Sequence, residues 1–531
     1  MQLSARALHV LAVLLVALVS RAAGRHENAA VGVGVDNDDD DDRPSPPCSL
    51  ADRAALLGFK AGIAADTTGI LATWAGADCC GAWEGVSCDA ATGRVVALQL
   101  EAPPPPEGQG RRRYMEGALS PSLGGLEFLE ALVIRDMARI GGAIPESLSR
   151  LRRLRQLYLE GNMLAGAVPA SLGRLSSLQF LSLAGNRLEG RLPPELGAAS
   201  GLVQINLARN RLAGAVPASY KNLSRLAYLD LSNNVLSGAV PGFIGQFKSL
   251  ALLDLSNNSF SGEIPASLCA LRNLTDLSLS HNKLDGRIPP QMGSLRSLNS
   301  LAIDSNLLVG SIPASVLGLQ KLWYLNLSRN GLSGSLPTGT RNGLPSLVSM
   351  DLSHNRLVGR VDEFLRSLSV KLSYKNARSS FTSPIVLPQI LEHLDLSKNR
   401  ITGALPDFAR GGGLKWLDVS NNAIGGQIPS SVSKLSSLER LDVSKNRVRG
   451  VIPASMAAMV RLQWLDLSGN ALVGRIPENF TRLARMQHAS FRGNKLCGQI
   501  PQARPFSLFP AAAYAHNLCL CGKPLPPCRK I

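Results

Sequence analysis

Aromatic side chains are scarce in this 531-residue chain, at 5%, and charged residues reach only 18%. Its seven histidines are scattered rather than clustered. The motifs that carry common chemistries are missing too: there is no Gly-x-Ser-x-Gly elbow, no His-Glu-x-x-His pair and no phosphate-cradling Gly-Lys-Ser/Thr loop. Catalysis therefore finds no foothold, and the expectation is a chain that is not an enzyme and carries no cofactor and no metal. Beyond the first residues no apolar run is long enough to cross a bilayer or to serve as a lipid-anchor signal, and no kinase follows the last cysteine cluster. Acids are in short supply as well, 39 against 56 bases, for a net charge of +17. Arg6 and Arg21 lie in the leader, which leaves 17 − 2 = +15 after it. Such a balance favours anionic partners, and charge alone does not choose among acidic polysaccharide, membrane surface and nucleic acid.

What is abundant is order. Asparagines fall at Asn162, Asn186, Asn210, Asn234, Asn258, Asn282, Asn306 and Asn330, an unbroken 24-residue step. After Asn355 and an irregular patch they resume at Asn399, Asn422, Asn446, Asn470 and Asn494. Most of the 50 glycines and 32 prolines sit at fixed places in this period. A period of that length is the signature of a leucine-rich repeat. Within the unit Leu226 to Phe247, Leu229 and Leu231 alternate with Tyr228, Asp230 and Ser232, the pattern of a strand with one buried face. The Asn234 amide can donate to and accept from the backbone of the turn that follows. Leu236 and Val240 return to the core, Gly238 permits a backbone angle closed to other residues, and Pro241 sets the next turn. One unit cannot bury its own leucines, so units must stack and both ends need caps.

Met1–Gly24 reads as a secretory signal peptide, with Arg6 ahead of the apolar run Ala7–Val19 and small residues at Ala22, Ala23 and Gly24. Residues 25–47, with Asp38–Asp42 and three prolines, read as a disordered leader. Residues 48–93 form a cysteine cap in which Leu50, Ala54, Leu57 and Phe59 suggest a short amphipathic helix, followed by Trp74, Cys79, Cys80, Trp83 and Cys88. About seventeen repeats fill 94–494, and residues 495–531 close the chain with Cys497, Cys519, Cys521 and Cys528. The stretch Pro103–Arg113 reads as an exposed insertion. Between Arg360 and Pro388 the pattern falters, with Val361-Asp362 in place of Ile-Pro and Val370, Leu372 and Tyr374 alternating without a marker asparagine. That patch is expected to be a divergent repeat rather than an insertion. Zinc is disfavoured at the C-terminal cysteines, because Cys-x-Cys has no histidine at ligand spacing.

The first cysteine block resembles the N-terminal cap of plant extracellular leucine-rich-repeat proteins. The last resembles the C-terminal cap of polygalacturonase-inhibiting proteins and their relatives, including the DNA-damage-toleration family of receptor-like proteins without a kinase. That resemblance implies an α/β solenoid, a right-handed horseshoe of plant-specific 24-residue repeats with a parallel concave β-sheet and disulfide caps at both ends. It also implies the pairs Cys48–Cys79, Cys80–Cys88, Cys497–Cys519 and Cys521–Cys528, although spacing by itself leaves three pairings open for each set of four. Cys269 is left over, a buried free thiol behind the strands.

The concave sheet remains as the surface to read. The place before the first strand leucine runs through Phe180, Tyr228, Tyr324, His393, Trp416, Arg440 and Trp464, with Trp323 one place earlier and Tyr158 between two strand leucines. Half-exposed aromatics bury large areas at low entropic cost, so these nine residues are the candidate ligand-binding set. The recurrent aspartates (Asp230, Asp254, Asp351, Asp395, Asp418, Asp442, Asp466) read instead as a solvated structural column. Sequons stand at Asn222, Asn257, Asn273, Asn326 and Asn479, and Asn326 lies inside a strand. The expectation is a secreted glycoprotein of the cell wall or apoplast that binds a protein or peptide in defence or developmental signalling, a pathogen glycosidase among the candidates. Alternatives are a soluble ectodomain that works with a membrane receptor kinase, and a scaffold held on acidic wall polysaccharide. Nucleic acid is not among the expected partners.

Overall fold

A computed structural model describes residues 46–102, 113–338, 344–369, 384–410 and 412–528. The expected signal peptide, nearly all of the leader, the insertion at 103–112 and Val370, Leu372 and Tyr374 lie outside the described residues.

Seventeen strands follow one another from Val86–Cys88 to His488–Ser490 in a single sheet. The first pairs antiparallel with Val95–Glu101, and every later pair is parallel and in register, as Leu229 with Leu253 and Leu253 with Leu277. Each pair holds the leucines of neighbouring units against one another, and Leu231, Leu253, Leu255 and Leu279 are completely buried. The chain is an α/β solenoid of leucine-rich repeats with this parallel sheet on one side and cystines near both ends.

The asparagines join the turns. Asn258 Nδ2 donates to the carbonyl of Leu231 in the unit before (3.0 Å) and to that of Leu255 in its own (3.2 Å). Its Oδ1 accepts the backbone N–H of Leu236 (2.9 Å). The same three bonds recur at Asn234, Asn282 and Asn306, so one amide satisfies backbone groups from two consecutive turns. The residue before the marker is left-handed in every regular unit, as Asn257 at φ 52° and Lys445 at φ 52°. At Met137, which stands where an asparagine belongs, the ladder stops, and Asn162 Oδ1 has no partner among the described residues.

Past the turn most units add a short strand to one of several flanking sheets. Nine such strands run from Ile63–Asp66 to Lys283–Asp285, three from Val309–Gly310 to Arg356–Val358, and four from Arg449–Val451 to Cys519–Cys521. The unit then meets its proline, whose ring presets φ for a single 3₁₀ turn behind the sheet, as Pro265 before Ala266–Ala270. Leu268 and Leu271 point from that turn back into the core, and Cys269 beside them is a buried free thiol.

The irregular patch departs from expectation. Ser349–Asp351 pairs directly with His393–Asp395, and Asn399 Nδ2 donates straight to Leu352 (3.0 Å). Ladder and sheet thus pass from one unit to the next, and the extra residues are an excursion within a single unit rather than a divergent repeat. The physical reason is at its start: Val361–Leu368 forms an α-helix that buries Val361, Phe364, Leu365 and Leu368 where a regular unit has Ile-Pro and a 3₁₀ turn.

The N-terminal helix, Leu50–Ala61, is also turned differently from the sequence reading. Its buried face is Asp52, Ala55, Leu56 and Phe59, while Leu50 is 82% exposed and Ala54 lies in solvent. Asp52 decides this rotation: it takes a bidentate contact from Arg94 (2.8 and 3.0 Å) and the N–H of Val95 (2.9 Å), so a fully buried carboxylate is completely paired. Trp74 and Trp83 stack at 5.3 Å over the end of the first unit. Cystines join Cys48 to Cys79 and Cys80 to Cys88 there, and Cys497 to Cys519 and Cys521 to Cys528 at the other end. All eight sulfurs are bonded, which leaves no thiolate in either cap for a metal.

Candidate functional site

In-register pairing turns a sequence column into a row of neighbouring side chains. From Gln156 to His488 the place before the first strand leucine is occupied on adjacent strands by Phe180, Tyr228, Tyr324, His393, Trp416, Arg440 and Trp464, among others. All of them, with Tyr158 and Trp323, are half-buried. The nine do not form one site. Tyr158 lies under Arg135 near the N-terminal end, with the guanidinium 5.8 Å from its ring. Tyr228 directs its hydroxyl toward Asp230 (3.4 Å). Trp323 and Tyr324 meet each other at 5.7 Å, and Ser349 separates them from His393.

The last four make a continuous stack. His393 lies 5.1 Å from Trp416; the Arg440 guanidinium sits 4.2 Å from the Trp416 ring and 4.3 Å from that of Trp464. Trp464 in turn stacks on His488 at 3.7 Å. Five side chains on five successive strands are therefore in contact, and a cation lies between two indoles, an attractive arrangement. His488 is the member that sequence reading missed. The signal was present, since it stands 24 residues after Trp464 in the same column, but the unit around it has Ala489 in place of the strand leucine. The ring nitrogens Nε1 of Trp416 and Trp464 and Nδ1 of His393 are shielded from solvent without a hydrogen-bond partner among the described residues. Packing therefore holds this row, with little help from polar bonds. Burial pushes the pKa of both His393 and His488 down, so the stack carries its charge at Arg440.

Beside the stack runs the aspartate column, and here the solvated reading fails. Asp418 and Asp442 are buried, and the others are half-buried. In each, Oδ1 accepts the backbone N–H two residues on, as Asp395 from Ser397 (2.8 Å) and Asp442 from Ser444 (3.0 Å), which closes the strand with an Asx turn. The column is structural because the sheet packs it, and the bond fixes each carboxylate in place. Burial first, and the Asp418 charge second, push Asp395 up to about 7 and Asp442 up to about 6. Asp230 and Asp254 are raised in the same way, again by burial foremost. Arg440 approaches two carboxylates, Asp442 at 3.7 Å and Asp418 at 3.9 Å, and offsets part of that repulsion.

Of the sequons, Asn222, Asn257 and Asn273 are exposed, with Asn222 and Asn273 on the side behind the strands. Asn479, also behind the strands, donates to the Ala454 carbonyl (3.1 Å). Asn326 lies in the concave sheet, its Oδ1 bonded to the Ser328 N–H (3.0 Å) and its amide nitrogen 3.4 Å from the Tyr324 hydroxyl.

Comparison with known proteins bears on this geometry. The leucine-rich-repeat family model matches residues 200–260, 296–357 and 412–472, a second repeat model matches 177–199, 273–295 and 391–411, and the leucine-rich-repeat N-terminal domain matches 49–89. The chain is 37% identical over 121 residues to the DNA damage-repair/toleration protein DRT100 of Arabidopsis thaliana, covering 22% of this chain and 32% of that one. It is 33% identical over 122 residues to a polygalacturonase inhibitor of Vitis vinifera, covering 22% of this chain and 33% of that one. The matched stretch thus spans about a third of either relative. Among solved structures, the plant peptide hormone receptor RGFR1 in complex with RGF2 superposes with a TM-score of 0.60 at 26% identity, covering 76% of this chain and 73% of the receptor. Among the described residues no helix is long and apolar enough to cross a membrane. By its repeats, its N-terminal domain and its plant relatives, the chain belongs to the leucine-rich-repeat family.

Proposed function

We propose that this chain is a secreted, non-enzymatic recognition protein of the plant apoplast or cell wall, which binds a protein or peptide along its concave sheet in defence or developmental signalling. The observation that carries the reading is the stack from His393 to His488. It is a half-exposed row of aromatic groups around one arginine, the side chains most enriched among energetic anchors of interfaces. Its rings already pack on one another, so a partner would meet an ordered surface and lose little entropy in fixing it. The polygalacturonase inhibitor among the relatives supports inhibition of a glycosidase as one form of this recognition. The second reading is a soluble ectodomain that pairs with a receptor kinase, and the superposition on a peptide hormone receptor favours it. Glycans belong to the same proposal, at Asn222, Asn257 and Asn273, whereas a glycan on Asn326 would stand on the concave face beside Tyr324.

The test begins with capture of a ligand from apoplastic extract, then titrates it against Trp416→Ala, Arg440→Ala and Trp464→Ala. The fold should persist, because the inward leucines are untouched, and at least one variant should lose more than about 1 kcal/mol of binding free energy. Unchanged affinity in all three, with strong salt dependence and losses on substituting Arg296 or Arg461 behind the strands, would move the site off the concave sheet. That outcome would favour a scaffold held on acidic polysaccharide.

A further inference from the structure

The flanking sheet carries a second surface that the concave site does not use. Large aliphatic side chains that are well exposed are few among the described residues, and seven of the eleven (Val235, Leu307, Val309, Val358, Val451, Val473, Leu518) lie in or beside flanking strands. Strand alternation explains their direction: Leu308, Leu357 and Leu472 point into the core, so the residues on either side must point out. Two of the seven are direct neighbours. Val451 pairs in register with Val473, and Val473 with Lys495, so two valines that are 57% and 40% exposed lie side by side on adjacent strands. Arg449 pairs with Ala471 in the next row.

This four-stranded part of the sheet contains no acidic residue. Arg447, Arg449, Arg475 and Lys495 surround the valines, all exposed and none with an ion-pair partner among the described residues. Arg475 lies flat along the sheet: a Cβ at Gly498 (φ 109°) would come within 2.9 Å of its Cγ, so glycine there leaves room for the arginine stem. The concave strands of the same repeats carry the carboxylates Asp442 and Asp466 instead.

We propose that this flank is a docking face for a partner protein whose surface presents carboxylates around apolar side chains. Charge complementarity selects acid, and the paired valines select a protein over a bare polyanion. A polyuronate would satisfy the arginines and gain nothing from Val451 and Val473. An anionic membrane would gain little from branched side chains that stand only as high as the sheet. Arginine around an apolar centre is the composition of a protein interface. The proposal does not depend on the concave reading.

The test uses fluorescence anisotropy with two labelled peptides of equal length and charge, one alternating Glu with Leu and one alternating Glu with Ser. The Glu-Leu peptide should bind about tenfold tighter. Val451→Ser with Val473→Ser should abolish that difference without changing thermal unfolding. Arg449→Ala with Arg475→Ala should weaken both peptides and flatten their salt dependence. Trp416→Ala should change neither, which separates this face from the concave one. Equal binding of the two peptides, displacement of both by polygalacturonate at matched charge, preference for phosphatidylserine vesicles, or no peptide binding at all would each overturn the proposal.

Discussion

Asn258 bonds two successive turns with one side chain, and alanine in its place would leave the Leu236 N–H without a partner and remove one of the two amide donors at each of the Leu231 and Leu255 carbonyls. Asn258→Ala should therefore cost roughly 1–3 kcal/mol in chemical denaturation. Lys283→Ala, exposed one residue past the next ladder position, should cost less than about 0.5 kcal/mol. Equal losses would mean that the buried amide is not what holds the turns. Asp395 makes the opposite kind of contribution. Folded, it keeps its proton up to about pH 7, whereas an unfolded aspartate releases it near 3.9. Between those values the folded chain binds more protons, so its stability falls as pH rises through that window, and the deficit is complete above it. Asparagine can make the same turn bond without the charge, as Asn326 already does. Asp395→Asn should raise the melting temperature at pH 8, leave it nearly unchanged at pH 4, and flatten the profile between. An unaltered slope would place the source of the pH dependence elsewhere.

At the scale of elements, the caps and the excursion have separate jobs. The last flanking strand, Cys519–Cys521, is held to Lys495–Gln499 by parallel pairing and by the Cys497–Cys519 bond. Loss of one native cystine costs about 2–5 kcal/mol in small secreted domains, but a solenoid distributes stability between neighbours. Replacing Cys521 and Cys528 with serine should thus speed hydrogen exchange in 495–521 and leave the strands near Leu229 unchanged. Faster exchange throughout would mean that the cap sets the stability of the whole array. The elements also mark where local pattern was a sufficient guide. Strand positions followed from alternating leucines, and turn positions from the marker asparagines. The face of the first helix did not, because the partner of Asp52 lies 42 residues away at Arg94. Nor did the helix at Val361–Leu368, whose apolar spacing looks like a failed repeat until the sheet is seen to pass it by.

For the whole molecule, the 24-residue step has a consequence that a globular core would not share. Excising Val235–Asn258 joins Asn234 to Ser259 and leaves leucine alternation, ladder and proline turns in phase. That deletion should still fold cooperatively, with nearly native circular dichroism per residue, because each unit contacts mainly its neighbours. Excising only half a unit should abolish cooperative melting, since every inward leucine beyond the cut would be out of step. If both deletions behaved alike, stacking register would not be the organising constraint. Fold class, repeat phase and the half-exposed column on the concave sheet were legible in the residues, since each depends on spacing within one unit or on a repeat of it. Three matters needed the tertiary structure: that His393, Trp416, Arg440, Trp464 and His488 touch in one row, that packing raises the pKa values of Asp395 and Asp442 beside them, and that Val451 meets Val473 amid bases with no ion-pair partner among the described residues. Each arises where side chains from different turns come within about 4–5 Å through strand pairing, and no local pattern encodes which neighbour will be there.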